Sequence, residues 1–426
     1  MSDRLRDEMR QERRASGLVW ARFAREAGFS ATYLRNIENG NRALTPEVAR
    51  AYDGVLSTGG RFTRALHDPT PGTCGLVWER PESMAVLTGL LKGGHVDRRE
   101  PLTVAQALSV SASSWARALE SAPREPLDVP GGPGLLAHIG DRLDHLRHLD
   151  DKLGSGDVLH LARGELALII KLIRSGRYNG ATVTRLYAMA SEASRQVGWA
   201  AFDQGKPGLA GRYFDGALRA SAEANDPVGG AYAASFAAIQ CYSTGPGDRA
   251  VNLLEVAHAQ VRGRATPRMH AMLAARTARA LSTTGAKREC ARQLHLARTA
   301  LDQGRHEDDP EVLYWVDHGE IEMIAGSAAL SLGDPAEALR RFEAAMAAAY
   351  PGDTEFPRSH AIYLVRAAEA HLALGDLDAA VATARHAARC LSSVDSVRSA
   401  SELRGLREKL RAHTSYTAVR ELLQSE

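Results

Sequence analysis

Asp141, His145 and His148 sit four and three residues apart, on one face of a helix if one forms there. A carboxylate and two imidazoles are ligands that a divalent metal accepts, but no second ligand cluster has suitable spacing. Asp150 and Asp151 follow directly, so the stretch reads as a solvated, charged helix face, and no metal site is expected. Cys74, Cys241, Cys290 and Cys390 lie far apart without a C-x-x-C pair. That argues against a zinc site or a disulfide framework and fits a reducing cytosol. The sequence contains no G-x-x-x-x-G-K-[ST] phosphate loop, no glycine-rich dinucleotide loop after a strand and no G-x-S-x-G elbow. No catalytic residue and no cofactor is expected, and the chain does not read as an enzyme.

The bulk numbers fit a globular protein of two or three domains: 426 residues, 44% hydrophobic and 24% charged. No run approaches the roughly 20 uncharged apolar residues of a membrane span. The N-terminal MSDRLRDEMRQERR is charged from its start, unlike a secretory signal, and Arg98-Arg99 has no apolar run after it. The expected location is the cytoplasm, associated with the nucleoid. The net charge of +2 is unevenly spread: residues 1–66 carry 12 Arg and 8 acidic residues, and the remainder carries 41 basic and 43 acidic ones. A basic excess confined to a small N-terminal piece suits phosphate binding. Arg and Ala richness also follows from a GC-rich genome, so the asymmetry alone decides little.

Helical spacing dominates, with no alternating strand pattern, which predicts an all-α protein. Residues 1–66 read as a cluster of short helices. Residues 67–131 read as a partly helical connector, irregular at both ends, with helical stretches at Met84–Leu91 and Leu102–Leu119. Residues 132–426 are repetitive. Gly205, Gly245, Gly285, Gly333 and Gly375 are 40, 40, 48 and 42 residues apart. Five residues after each stands a small side chain (Ala210, Ala250, Cys290, Ala338, Ala380), and seven further on an alanine (Ala217, Ala257, Ala297, Ala345, Ala387). Phe214, Leu254, Leu294, Phe342 and Ala384 lie between as packing residues. The glycine ends one helix and opens the turn. The small residues let the next helix lie close, and stacked hairpins supply the core that none has alone. About five such units fill residues 180–392, with a preceding hairpin at 135–176 and a C-terminal capping helix at 396–424.

This pattern resembles the tetratricopeptide repeat, most clearly at Gly198, Gly205, Ala210, Phe214, Ala217 and at Gly326, Gly333, Ala338, Phe342, Ala345, although with a longer period than the usual 34. Residues 4–56 resemble the helix-turn-helix of the Cro/repressor (XRE) class. The matching landmarks are Arg13, Gly17-Leu18, Phe23-Ala24, Ala27-Gly28, Ser30, Leu34, Ile37-Glu38-Asn39-Gly40 and Arg42. Ala24 allows two helices to cross, Gly28 makes the turn and Ser30 caps the next helix. Leu34 and Ile37 face inward with Phe23 and Val48. Gly40 ends that helix, and Thr45-Pro46-Glu47 starts another. The resemblance implies that Ala31, Thr32, Arg35 and Asn36 face base edges in the major groove. It implies that Trp20, Ser30, Asn41 and Arg42 hold phosphates, and that Arg13 and Glu38 form a buried, structural ion pair. Val19-Trp20 stands where the class has a polar cap, which leaves Trp20 against either the sugar-phosphate backbone or the rest of the protein.

Together the two parts are similar to the large helix-turn-helix regulators of filamentous actinobacteria, VGWAAFDQGKPGLAGRYFDGALRASAEANDP and DHLRHLDDKLG most of all. In architecture alone they are similar to peptide-pheromone receptors. In tetratricopeptide geometry, first-helix side chains line a concave face, here Arg195, Trp199, Phe202, Tyr232, Tyr242, Arg279 and Glu320. They form either an effector groove or, for Trp199, Phe202 and Tyr232, core between repeats. The expected function is that of a transcriptional regulator, a homodimer on an inverted-repeat DNA operator with a peptide, small-molecule or protein effector. The alternative is a protein-interaction scaffold whose helix-turn-helix reads no specific operator.

Overall fold

The computed structural model describes residues 2–39, 44–56, 58–63, 78, 80–91, 108, 111–119, 133–178, 180–245, 247–348, 350–352 and 355–424. The described secondary structure is helical, with a single isolated β-bridge and no strand. The chain divides into two compact units, residues 1–76 and 77–426.

The first unit holds α1 (Ser2–Ala15), α2 (Trp20–Ala27), α3 (Ala31–Glu38) and α4 (Pro46–Leu56). Its core comprises Phe23, Leu34, Ile37, Val48, Tyr52 and Phe62, all essentially without exposure. Gly28 ends α2 at φ 73°, a left-handed conformation that a side chain would strain. Three residues on, α3 begins where the Ser30 Oγ accepts the Tyr33 N–H at 3.2 Å. In α4, Asp53 accepts the N–H groups of Phe62 and Thr63 at 2.8 and 2.7 Å and so ties down the helical turn at 61–63.

The second unit begins with α5 (Arg80–Leu91) and α6 (111–119). Neither serves only to connect. Leu87, Leu90, Ala112, Trp115 and Leu119 belong to the main hydrophobic core. The Tyr213 hydroxyl donates to Leu90 O at 3.1 Å, and Trp115 Nε1 donates to Ser221 Oγ at 3.2 Å.

Next come α7 (Pro133–Leu153) and α8 (Ser155–Arg174), joined by Gly154 alone. Five hairpins follow: α9 (Gly180–Asp203) with α10 (Pro207–Glu223), α11 (Pro227–Thr244) with α12 (Gly247–Val261), α13 (Pro267–Thr283) with α14 (Lys287–Leu301), α15 (His318–Ser331) with α16 (Pro335–Ala347), and α17 (Pro357–Ala373) with α18 (Leu377–Leu391). The C-terminal segment forms two helices where one was expected, α19 (Val397–Leu410) and α20 (Thr417–Gln424).

Starts are written locally. Proline opens α10, α11, α13, α16 and α17, where its missing N–H costs nothing. Asp226, Asp317, Asp334 and Asp376 cap α11, α15, α16 and α18 through their carboxylates. The ten small residues of the repeat pattern, from Ala210 and Ala217 to Ala380 and Ala387, are all buried. Gly205, Gly285, Gly333 and Gly375 take positive φ in the turns; Gly245 does not, at φ −166°.

The stack closes on itself. Gly154 and Asp395, 241 positions apart, form a parallel bridge, with Ser155 N donating to Asp395 O at 3.0 Å and Asp395 N to Leu153 O at 2.9 Å. The junction of α7 and α8 thus meets the junction of α18 and α19.

Candidate functional site

The first candidate surface is α3. One of its faces is fixed in the core: Leu34 and Ile37 are buried, and so is Glu38. Arg13 donates from Nε and Nη2 to the two Glu38 carboxylate oxygens at 2.8 and 2.9 Å, and the Tyr52 hydroxyl donates to Oε1 at 2.8 Å. A bidentate pair fixes both the spacing and the rotation of α3 against α1. The hydrogen bond to Glu38 raises the Arg13 pKa above its ordinary value, and burial followed by the neighbouring carboxylate pushes up the Tyr52 phenol.

The opposite face points outward. Thr32 and Arg35 are exposed, and Ala31 and Asn36 half-buried. The Trp20 ring lies under two guanidiniums, Arg13 at 3.8 Å and Arg35 at 5.2 Å, with Phe23 edge-on at 6.1 Å. That is a packing role against the unit itself. The Ser30 hydroxyl is engaged as the cap of α3. Asn41 and Arg42 lie outside the described residues.

The second candidate is a cavity of about 160 Å³ within the hairpin stack. It gathers Arg195, Trp199, Tyr232, Tyr242, Arg279 and Glu320, six of the seven side chains named from the repeat register. Phe202 is the exception. It sits one turn beyond Trp199, packs against it at 6.0 Å and is capped by Arg398 at 5.7 Å, so it is core and does not line the cavity.

The sequence reading missed the rest of the wall. Asp150 and Asp151, read as solvated, face inward: Asp150 accepts Trp199 Nε1 at 3.1 Å and pairs with Arg358 at 2.7 Å, and the Tyr314 hydroxyl donates to Asp151. Burial would raise Asp150, but Arg358 and the Ser155 hydroxyl outweigh it and hold the carboxyl below its usual range. Asp151 goes the other way, raised by burial to about 6. Asp141, His145 and His148 are exposed.

Tyr314 and Trp315 enter the cavity from the 302–317 connection, which contains the turn Glu311–Leu313. This connection is the reason for the 48-residue interval in the repeat pattern. Trp315 Nε1 meets the Tyr232 hydroxyl at 3.4 Å, and that hydroxyl donates to Val312 O at 3.1 Å.

Seven arginines and eight aromatic side chains line the cavity against four carboxylates, so it is aromatic and electropositive. The charges are unevenly balanced. Arg147 and Arg195 share Glu192 at 3.1 and 2.8 Å, and Arg358 and Arg398 reach Asp150 and Asp203. Arg276, Arg279 and Arg366 have no carboxylate within 4 Å among the described residues. Burial and then the nearby Arg366 lower Arg279 to about 10. Burial also raises Glu320 to about 7, despite Arg276 and a 2.6 Å hydrogen bond from the Tyr363 hydroxyl.

Outside both surfaces, His360, His386 and Cys390 bring metal-type donor atoms within 4.8 Å of one another across α17 and α18. The two imidazoles meet edge to face at 5.7 Å, a contact that fills the interior of this hairpin.

Compared with protein-family models and with curated proteins, the chain matches none. No helix among the described residues is long and apolar enough to cross a membrane.

Proposed function

We propose that this chain is a sequence-specific DNA-binding regulator of transcription. Residues 1–66 act as a helix-turn-helix domain whose α3 enters the major groove, and residues 132–426 as a tetratricopeptide-like α-solenoid whose cavity receives an effector. The observation that carries this reading is the two-faced α3. Its inner face is clamped by Leu34, Ile37 and the Arg13–Glu38–Tyr52 cluster, while Thr32, Arg35 and Asn36 point away from the core. Arg addresses guanine, Asn addresses adenine and the Thr methyl addresses thymine, and a rigid helix presents them in fixed register. The basic excess of residues 1–66 supplies attraction to phosphate. A homodimer on an inverted repeat follows from symmetric reading of two half-sites.

The test is selection of bound fragments from the source genome by purified full-length protein at about 0.15 M salt, where phosphate attraction alone is weak. The expected result is one inverted-repeat motif bound roughly a thousandfold over random DNA. The triple variant Thr32→Ala, Arg35→Ala, Asn36→Ala loses that ratio with an unchanged far-UV spectrum. Featureless DNA from the parent protein, or the same motif from the variant, overturns the reading and favours an interaction scaffold.

A further inference from the structure

The effector reading leaves open what chemistry the cavity recognises, and its charge balance answers that. Arg276 and Arg279 are three residues apart on α13, and Arg366 comes from α17. Arg276 Nε is buried without a hydrogen-bond partner. Arg276 stacks on Trp315 at 4.9 Å and Arg279 on Tyr242 at 5.4 Å, and Arg279 donates to the Ser282 hydroxyl at 2.9 Å. Glu320 and Glu402 are the acidic residues of this end, and neither reaches ion-pair distance of the three guanidiniums. Elsewhere in the same cavity every arginine is matched to a carboxylate at 2.7–3.3 Å. Arg279 is buried and Arg276 and Arg366 are half-buried, and cations so placed without a carboxylate, beside a matched set, are costly unless something else neutralises them.

Size limits what that can be. A cavity of about 160 Å³ has room for roughly 11–16 waters at about 10–15 Å³ each. That suits a ligand whose enclosed part is about a dozen heavy atoms. Trp199, Tyr232, Phe236 and Trp315 offer planar apolar surface for its body.

We propose that the cavity binds a small aromatic carboxylate, its acid group held by Arg276, Arg279 and Arg366 and its ring lying among the aromatic side chains of α9, α11 and the 302–317 connection. The acid group is either that of a free small molecule or the C-terminus of a very short peptide ending in an aromatic residue. The proposal deepens the effector reading and rests on it, yet its test needs no DNA, so failure to find an operator leaves this result standing by itself.

The experiment uses full-length protein and follows tryptophan fluorescence, because Trp199 and Trp315 line the site, together with the melting temperature. The probes are indole-3-acetate, 4-hydroxyphenylacetate, the dipeptide Gly-Trp and the amide of each. Each guanidinium-to-carboxylate contact is charge-assisted, so at least one acid binds about tenfold or more tightly than its amide. A free acid that exceeds Gly-Trp identifies the small molecule as the source, and the reverse identifies the peptide terminus. Arg279→Met and Arg366→Met each weaken acid binding about tenfold and leave amide binding unchanged. Without any ligand, Arg279→Met melts no lower than the parent, because it removes a buried charge that no carboxylate among the described residues pairs with. Equal binding of acid and amide, no binding by any of the acids, or a lower melting temperature for ligand-free Arg279→Met overturns the proposal.

Discussion

Two buried carboxylates in this chain do opposite work. Glu38 is fully matched: Arg13 grips both oxygens and Tyr52 donates to one. Removing it leaves Arg13 buried and uncompensated, a loss of about 3–5 kcal/mol for this kind of pair. Glu38→Ala is therefore expected to unfold residues 1–76 at a markedly lower temperature in calorimetry, while a variant of the exposed Arg22–Glu26 pair, Glu26→Ala, changes little. Glu320 is poorly matched. Its pKa rises from 4.5 to about 7, chiefly by burial. Between those two pH values the folded state keeps a proton that the unfolded chain has lost, so this contribution to stability is complete below about pH 4.5 and disappears as pH rises through 7. Glu320→Gln should flatten the pH dependence of the melting temperature between pH 5 and 8 and be more stable than the parent at pH 8. An unchanged slope would mean that the carboxyl is ionised throughout.

The hairpins are held by a size rule. A Cβ at Gly198 would come within 2.9 Å of the Phe214 ring, and one at Gly326 within 2.6 Å of the Phe342 ring. Phe214 is wholly buried and cannot retreat. Gly198→Ala is expected to lose about 1–3 kcal/mol by overpacking, measured by denaturant titration. Phe214→Leu in the same chain should restore part of that loss, because the two sites share one space. The rule also shows where a repeat has been put to other use. Between α14 and α15 the interval lengthens, and the extra residues plant Tyr314 and Trp315 in the cavity wall.

The cavity exists because the hairpin stack of residues 77–426 turns far enough to meet itself. Asp150 on α7, Trp199 and Asp203 on α9, Arg358 on α17 and Arg398 on α19 form one buried network around the point where Gly154 meets Asp395. Asp150→Ala removes the anion that Arg358 grips at 2.7 Å. The expected outcome is faster amide hydrogen exchange in α7, α17 and α19 with little change in α12 and α13, at a cost of about 3–5 kcal/mol. Uniform exchange along the stack would mean that closure contributes no local stability.

Local rules could be read from the residues alone. Proline and aspartate marked helix starts, small residues at fixed intervals marked the faces that touch, and the landmarks around Gly28 and Ser30 placed α2 and α3. The concave register found Arg195, Trp199, Tyr232, Tyr242, Arg279 and Glu320, because side chains on successive first helices share a face. Phe202 falls on the core side, the alternative its position left open, since one turn of helix separates lining from core. Asp150 and Asp151 were misread because an acidic pair on a polar helix looks solvated until another element covers it, and the covering arginine, Arg358, lies some two hundred residues away. Spacing within a helix is settled by contacts three or four residues apart, which the order of residues contains. Closure of the stack depends on the small rotation at each hairpin, added over the whole body, and that sum is set by packing between helices.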